Sequence, residues 1–139
     1  MTEQKQPLCP VLQRLAHAGL RPTRQRVGLG RLLFGTEPRH VTAEQLHAEA
    51  LADHFKVSLA TVYNTLNQFT EAGLLREVVV EAGRSYFDTN ISGHHHFFHV
   101  ASGRLLDIPG EHVVLAELPA APPGTRVSQV DVIVRLTDD

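Results

Sequence analysis

The sequence is poor in several residue types, and each shortage excludes a class of protein. Its 139 residues include one cysteine, Cys9, which rules out an intrachain disulfide and a four-cysteine zinc site and is typical of a reducing compartment. No apolar run approaches the ~18 residues that cross a bilayer, and the polar N-terminus lacks the apolar centre of a signal peptide. We therefore expect a cytoplasmic protein with no membrane partner.

Histidine is the residue type present in excess. The chain has nine histidines against two tyrosines and no tryptophan, and four of the nine fall between His94 and His99. Hydrophobic residues make up 42% and charged residues 20%, which is near the averages of globular proteins and argues against disorder or a long coiled coil. At this length one compact domain, or two small ones, is expected.

The net charge of −2 conceals an uneven distribution. Residues 1–40 carry seven basic and two acidic side chains, whereas residues 41–99 sum to −4 and residues 100–139 to −3. Such an asymmetry gives one end of the molecule a surface suited to a polyanion. Arginines that only solvate helix surfaces would give the same charge distribution, so charge alone does not establish that this end binds a polyanion.

Apolar side chains recur at helical spacing in four segments between residues 11 and 73. The first segment follows Pro10, and residues suited to opening a helix precede the other three, at Thr23, Thr42 and Ser58. Two strand-like runs, 74–80 and 84–88, then flank a turn that contains Gly83. Helices followed by such a hairpin predict a winged helix.

Beyond residue 88 the sequence predicts a hinge at 89–93 and then strands at 96–100, 104–108 and 127–136. About 50 residues are too few to bury a core of their own comfortably, so pairing with a second copy is expected. The predicted fold class is α+β. An N-terminal winged-helix DNA-binding domain (1–88, with 1–10 as a mobile tail) precedes a small C-terminal α/β dimerisation domain with a β-sheet (94–139).

The fourth helix has the surface of a recognition helix. Its outward side chains are short or flat groups that can reach base edges in a major groove, whereas an exposed helix is usually filled with Glu and Lys. They are Ser58, Ala60, Thr61, Tyr63, Asn64 and Asn67. Contact with double-stranded DNA is therefore favoured over plain solvation of this face.

Four stretches resemble successive blocks of the ferric uptake regulator (Fur) family: 18–26, 40–46, 59–74 and 83–88. The resemblance covers about residues 14–108, and Asn64 with the run His94-His-His-Phe-Phe98 is most similar to the iron response regulator (Irr) branch. The resemblance implies a homodimer on AT-rich operator DNA. It also implies that Tyr63 meets base methyl groups in the major groove and that Arg21 approaches the minor groove.

His94 and His96 are spaced to share one metal ion. On an extended strand, side chains two residues apart leave the same face within ~7 Å of each other, while His95 points the other way. The Fur resemblance adds His40, Asp88 and Asp107 to the ligand set. Imidazole and carboxylate ligands suit Fe²⁺, Mn²⁺ or Zn²⁺ without selecting among them, and one ion per subunit would fix the angle between the two domains.

Two further features separate this chain from many Fur relatives. The stretch 100–103 has no cysteine where relatives carry a Cys-x-x-Cys motif for structural zinc, so at most one metal site is expected. Cys9-Pro10 resembles the haem regulatory motif of some Irr proteins, since proline disfavours helical geometry at the preceding residue and predicts an extended, accessible thiolate. His95, with His94 and His96, is the expected second haem contact. An incidental cysteine ahead of a helix explains the dipeptide equally well.

The resemblance implies a haem-responsive, metal-dependent regulator that represses haem-synthesis and iron-storage genes when iron is scarce, with a haem-synthesis enzyme as candidate haem donor. Three alternatives stay open: a peroxide-sensing relative whose iron oxidises a neighbouring histidine, a plain haem carrier, and a small histidine-ligated metalloenzyme. The enzyme is least favoured because the chain offers no spare carboxylate or histidine clearly placed as a general base.

Overall fold

The computed structural model describes residues 8–35, 37–81 and 83–139, with side chains from Pro10 onward. The chain divides into two compact units, Met1–Ile91 and Ser92–Asp139. The division falls inside the stretch 89–93 that the sequence suggests as a hinge. Within the described residues, no helix is both long enough and apolar enough to cross a membrane.

The N-terminal unit contains four helices and a three-stranded sheet, as expected for a winged helix. The elements in chain order are α1 (Leu8–His17), α2 (Arg24–Phe34), β1 (His40–Val41), α3 (Ala43–Ala52), α4 (Leu59–Glu71), β2 (Arg76–Glu81) and β3 (Arg84–Asp88). The strand order is β1-β3-β2, and β3 runs antiparallel to both neighbours.

Hydroxyl side chains start the last three helices where the sequence predicts. Each side-chain oxygen accepts a hydrogen bond from the backbone amide three residues on: Thr23 from Arg26 at 3.2 Å, Thr42 from Gln45 at 3.0 Å, and Ser58 from Thr61 at 3.1 Å. A bond of this kind satisfies one of the amides that has no partner in the first helical turn. The three predicted helix starts are therefore confirmed.

The prediction that Pro10 leaves Cys9 extended is wrong, because the backbone is helical from Leu8. Pro10 lies in the first turn of α1, where its missing N–H would have no partner within the helix in any case. The tail expected at 1–10 thus already contains the start of α1. Residues 1–7 and the Cys9 side chain lie outside the part of the chain that the structure describes.

The core of the N-terminal unit holds α4 against the other helices. Side chains with essentially no exposed surface include Leu46 on α3 and Val62, Leu66 and Phe69 on α4. Burial of each such side chain contributes about 1.5–3 kcal/mol. The buried side of α4 is apolar apart from Thr65, and the opposite side carries the exposed residues Tyr63, Asn64 and Asn67.

The wing is the β2–β3 hairpin, and Gly83 in its turn has φ +73°, a conformation that favours glycine. The sequence missed β1, which pairs His40 with Asp88 and Val41 with Phe87. Two residues are too short to show the alternation that identifies a strand. His40 and Val41 therefore form a short strand that pairs with β3 of the wing.

The C-terminal unit is built on a sheet with the histidine run in its central strand. Its elements are β4 (His95–His99), β5 (Arg104–Ile108), a 3-10 helix (Gly110–His112) and β6 (Ile133–Leu136). Strand β4 pairs with β5 antiparallel and with β6 parallel. Strand β6 covers only the last four of the ten predicted residues, because the five-residue β4 offers no ladder beyond its own length.

Candidate metal site and nucleic-acid interface

Two imidazoles and one carboxylate of the C-terminal unit converge at one point. The Nε2 atoms of His94 and His96 lie 3.5 Å and 3.4 Å from the same oxygen, Oδ1 of Asp107. Asp107 faces His96 directly across the β4–β5 ladder. His94 and His96 are buried, with exposed fractions of 5% and 1%, so the imidazoles are largely withdrawn from water.

The hydrogen bond that His94 makes on its far side fixes the tautomer of its neutral ring. Its Nδ1 lies 2.7 Å from the carbonyl oxygen of Ser92, and a carbonyl only accepts, so Nδ1 carries the proton. In the neutral ring, Nε2 then offers a lone pair toward Asp107. A lone pair that faces a carboxylate oxygen is repelled unless a proton or a metal cation lies between them.

The spacing of these three groups fits a bound divalent ion. Ligand atoms about 2.1 Å from an ion at tetrahedral or octahedral angles lie roughly 3.0–3.4 Å apart. The distances from Asp107 to the two imidazoles are close to that range, and the ligand atoms of His94, His96 and Asp107 lie within 4.8 Å of one another. The predicted pair His94 and His96 and the predicted partner Asp107 therefore form a donor set that suits a metal.

His95 is separated from its two neighbours, as the strand alternation predicts. Its Nδ1 accepts a hydrogen bond of 3.1 Å from the backbone amide of Val132. That contact ties the histidine strand to the residue just before β6. The run of three histidines is thus divided between two faces of one strand and does not present three imidazoles to one ligand.

His40 and Asp88, the other two expected ligands, lie in the N-terminal unit and face each other across β1 and β3. Asp88 is 1% exposed, and its Oδ1 accepts from the Asn90 amide at 2.8 Å. On its other side the register places Arg76 of β2. The His40 ring packs edge-on against Tyr86, with ring centroids 6.4 Å apart.

The expected DNA-contact residues lie on or beside the exposed side of α4. Ala60, Tyr63 and Asn64 are exposed, and so is Arg21 ahead of α2. Ser58 has a second task, because its hydroxyl caps α4 and also donates to the Thr61 hydroxyl at 2.9 Å. The proton of that hydroxyl is used within the protein, so toward a base Ser58 can only accept a hydrogen bond.

The side of α4 that faces α2 is basic. Arg26 donates from Nε to Gln68 of α4 at 3.1 Å and from its guanidinium to the Arg21 carbonyl at 3.1 Å. Beside these residues a groove of about 260 Å³ is lined in part by Thr61 and Asn64. Arg26 and Arg21 therefore form a cationic edge next to the recognition surface, suited to DNA phosphates.

The side of α4 that faces the wing is different, and it contains a residue that sequence reasoning missed. The Tyr63 hydroxyl donates to Oε2 of Glu44, in the first turn of α3, at 2.7 Å. This hydrogen bond lowers the pKa of Glu44 and raises the pKa of Tyr63 from their ordinary values. No sequence pattern links two residues 19 positions apart on different helices.

A family comparison agrees with this architecture. The model of the ferric uptake regulator family matches residues 17–131. The chain belongs to the ferric uptake regulator family. Curated relatives of the Fur-family chain are named as Fur and PerR regulators, which are not enzymes. The Irr branch that the histidine run suggests stays a prediction.

Several relatives give the degree of similarity. The Fur-family chain is 37% identical to a ferric uptake regulation protein of Cupriavidus metallidurans over 81 residues, and these residues make up 58% of this chain. It is 33% identical over 100 residues, or 71% of this chain, to the ferric uptake regulation protein of Vibrio anguillarum. It is 32% identical over 93 residues, or 67% of this chain, to the peroxide-responsive repressor PerR of Staphylococcus aureus. The matches span 57%, 67% and 62% of these relatives' own lengths.

Solved structures support the fold. The ferric uptake regulator of Pseudomonas aeruginosa, determined with manganese, is 26% identical with a TM-score of 0.71, covering 92% of this chain and 97% of that one. The regulator of Vibrio cholerae is 22% identical with a TM-score of 0.71, covering 91% and 98%. The α+β class, with a winged helix followed by the sheet unit typical of Fur-family dimerisation domains, is confirmed.

At the β4–β5 turn this chain has a hydrogen-bonded cluster, which we call the histidine clasp (His99, Ser102 and Asp138). His99 Nε2 lies 2.8 Å from Asp138 Oδ1, and His99 Nδ1 lies 2.6 Å from the Ser102 hydroxyl. The carboxylate accepts from Nε2–H, so in the neutral ring Nδ1 accepts from Ser102. The clasp joins the β4–β5 turn to the segment after β6 through the side chains of His99 and Asp138, beside the backbone hydrogen bond from Val100 to Leu136.

Proposed function

We propose that this chain is a metal-dependent transcriptional regulator that binds operator DNA as a homodimer. The observation that carries the proposal is the convergence of His94 and His96 on Asp107, next in sequence to a winged helix with an exposed recognition surface. The Fur and PerR names of its relatives support the same reading. The expected location is the cytoplasm.

The proposed ligand set is His94, His96 and Asp107, completed by His40 and Asp88 from the N-terminal unit. A divalent ion, one per subunit, supplies a fixed positive charge that neutralises the carboxylates. The chain's own residues supply the rest. The Ser92 carbonyl orients the His94 ring, and the β1–β3 ladder keeps His40 opposite Asp88. Fe²⁺, Mn²⁺ and Zn²⁺ all suit these ligands.

The proposed DNA contacts are Tyr63 and its neighbours on α4 in the major groove and Arg21 toward the minor groove. The cationic edge of Arg21 and Arg26 lies on the α2 side of α4, where phosphates would flank the inserted helix. In a homodimer two such helices must meet successive major grooves, so the angle between the two units controls affinity. An AT-rich operator follows from the Fur resemblance.

A binding-site selection tests this function. Full-length protein is incubated with a pool of randomised DNA duplexes with and without Mn²⁺, and the enriched sequences are then measured by fluorescence anisotropy. We expect enrichment of an inverted repeat with Mn²⁺ and a loss of at least 10-fold in affinity without it. The His94→Ala, His96→Ala double variant should bind alike in both conditions, and His95→Ala serves as the control. A wild-type protein that enriches no sequence would refute the proposal.

A peroxide response is a second candidate, because PerR repressors are among the 32%-identical relatives. Iron held by the same ligands would oxidise a neighbouring histidine when it meets peroxide. Mass spectrometry of the Fe²⁺-loaded protein after peroxide treatment decides the matter. An added oxygen on His40, His94 or His96 supports this candidate, and unmodified histidines exclude it.

The haem response of an Irr-like regulator is a separate proposal that rests on Cys9 and on His95. His94 and His96 turn their Nε2 atoms toward Asp107, and His95 accepts from the Val132 amide through Nδ1, so haem ligation by His95 would require its Nε2 to give up the proton that it carries in the neutral ring. Haem, delivered by a haem-synthesis enzyme, would release the protein from genes that it represses under iron limitation. The ferric haem spectrum should change in Cys9→Ala and in His95→Ala. Spectra identical to that of the wild type would remove the proposal.

A further inference from the structure

We propose that Glu44 and Tyr63 form a single acceptor-only edge that selects bases with an exocyclic amino group in the major groove. The inference rests on the proposed DNA-binding function and adds Glu44, which lies outside the recognition helix, as a specificity-determining residue. Its basis is the 2.7 Å hydrogen bond from the Tyr63 hydroxyl to Glu44 Oε2. Both side chains are exposed on the same side of the winged helix.

The hydrogen bond fixes what each partner offers to DNA. A phenol has one proton and an ionised carboxylate has none. Because the Tyr63 proton is directed to Glu44, the Tyr63 oxygen can only accept a further hydrogen bond. The carboxylate accepts as well, so together the two side chains present lone pairs and no donor.

The surroundings keep Glu44 ionised. Glu44 lies in the first turn of α3, where the helix dipole favours negative charge, and its own backbone N–H adds a second hydrogen bond to the carboxylate. These contacts hold the pKa of Glu44 below its usual value, with the hydrogen bond from Tyr63 as the largest cause. The edge is therefore anionic at neutral pH.

The edge borders an open groove on the wing side of α4. The groove has a volume of about 670 Å³ and is lined by Glu44 and Tyr63 together with Asn67, Glu77 and Arg84. This side differs in charge from the basic side of α4, where Arg26 lies. Phosphates repel the anionic pair, so its favourable contacts are with hydrogen-bond donors on base edges rather than with the DNA backbone.

Base chemistry then decides which sequence fits. In the major groove, cytosine N4 and adenine N6 donate hydrogen bonds, whereas thymine O4 and guanine O6 accept them. Lone pairs on Glu44 and Tyr63 attract the first group and repel the second. At one position of each half-site, the contacted strand should therefore carry cytosine or adenine and reject thymine and guanine. The same negative charge weakens binding to DNA without that base.

The test is a binding-site selection from a randomised duplex pool with Mn²⁺, carried out in parallel on wild type, Glu44→Ala, Glu44→Gln and Tyr63→Phe. Wild type should show one position per half-site restricted to cytosine or adenine. Discrimination at that position should fall roughly 10-fold in each variant, while the other positions keep their preference. Because both residues act through one hydrogen bond, the double variant Glu44→Ala, Tyr63→Phe should lose less than the sum of the single losses.

Glu77→Gln is the matched control, since Glu77 lines the same groove on β2 and its replacement removes the same charge. It should leave the selected base unchanged. A second readout follows the Tyr63 phenol itself by ultraviolet absorbance against pH in a Tyr86→Phe background, which leaves Tyr63 as the only tyrosine. Glu44→Gln should lower the midpoint of that titration.

The outcomes distinguish a failure of the proposed DNA-binding function from a failure of the proposed base selection by Glu44 and Tyr63. If the wild type enriches no sequence, the proposed function fails. If it enriches a site but Glu44→Ala and Glu44→Gln select the same bases with the same discrimination, only the present inference is overturned. An unchanged phenol midpoint in Glu44→Gln would overturn it as well, because the hydrogen bond would then not exist in solution.

Discussion

Arg39 and Glu49 form a bidentate ion pair, with one guanidinium nitrogen 2.9 Å from Oε1 and the other 2.6 Å from Oε2. The side chains are only 25% and 32% exposed, so water screens the pair in part. The backbone of Arg39 also exchanges hydrogen bonds with Thr89, at 2.9 Å in each direction. Arg39 thus fastens α3 to the ladder that holds His40 opposite Asp88.

Replacement of Arg39 by Lys should weaken this fastening while the charge is kept. A lysine makes a point contact and loses the second hydrogen bond, so the free energy of unfolding should fall by about 1 kcal/mol. Chemical denaturation measures the change. Glu49→Gln should produce a similar loss, and the double variant should add little to it. Fully additive losses would show that the two side chains do not interact.

Metal binding should stabilise the protein in proportion to ligand concentration. At a free Mn²⁺ concentration 100 times Kd, the free energy of unfolding should rise by about 2.7 kcal/mol. Asp107→Asn should remove most of that increase, because an amide carries no negative charge for the ion. Thermal unfolding with Mn²⁺ and with a chelator gives the comparison. His95→Ala should respond to Mn²⁺ like the wild type, and a lost response there would contradict the proposed ligands.

The hydrogen bond between Tyr63 and Glu44 should depend on pH at both ends of the scale. The pKa of Glu44 is lowered in the folded state, so its contribution is present at neutral pH and is lost as the pH falls through that lowered pKa. The pKa of Tyr63 is raised, so its contribution is present below the ordinary tyrosine value and is lost as the pH rises through the raised pKa. The stability difference between wild type and Tyr63→Phe should therefore be flat between about pH 5 and 9 and shrink outside that window. A difference that changes inside the window would point to another titrating group.

Gly28 should resist the alanine substitution that usually stabilises a helix. In α2, alanine is normally favoured over glycine by about 1 kcal/mol. Here the ring of Phe55 occupies the place of a β-carbon on Gly28, and Arg24 covers the same ring at 4.4 Å from its centroid. Gly28→Ala should therefore destabilise the protein by about 1–2 kcal/mol, as overpacking does. Addition of Phe55→Leu should restore part of the loss, and a stabilised Gly28→Ala variant would contradict the predicted contact.

The histidine clasp should hold the C-terminal sheet without a metal. Loss of a partly exposed hydrogen-bond pair in His99→Ala or Asp138→Asn should cost about 1 kcal/mol and speed the hydrogen exchange of the Val100 amide, which donates to Leu136. Asp139→Asn changes the same charge one residue further on and serves as the control. Equal exchange rates in all variants would show that the clasp has no structural role.

Local signals in the sequence predicted most of the fold, whereas contacts between distant residues were not predictable from it. The caps at Thr42 and Ser58 act within one turn, and the hairpin turn at Gly83 needs positive φ, so each is visible in a short window. The spacing of His94 and His96 similarly predicted their shared face. Two-residue β1 and the partnership of Glu44 with Tyr63 depend on the packing of separate elements, and no short window contains that information.

The pairing of β4 also bears on the order in which the molecule can be assembled. Its antiparallel neighbour β5 follows after a tight turn, but its parallel neighbour β6 pairs His96 with Ile133, 37 positions later in the chain. Contacts of such sequence separation form slowly, because a long loop must close first. During synthesis, one edge of β4 therefore stays unpaired until residues 133–136 have left the ribosome. A metal ion that binds before then binds to a sheet that still lacks β6.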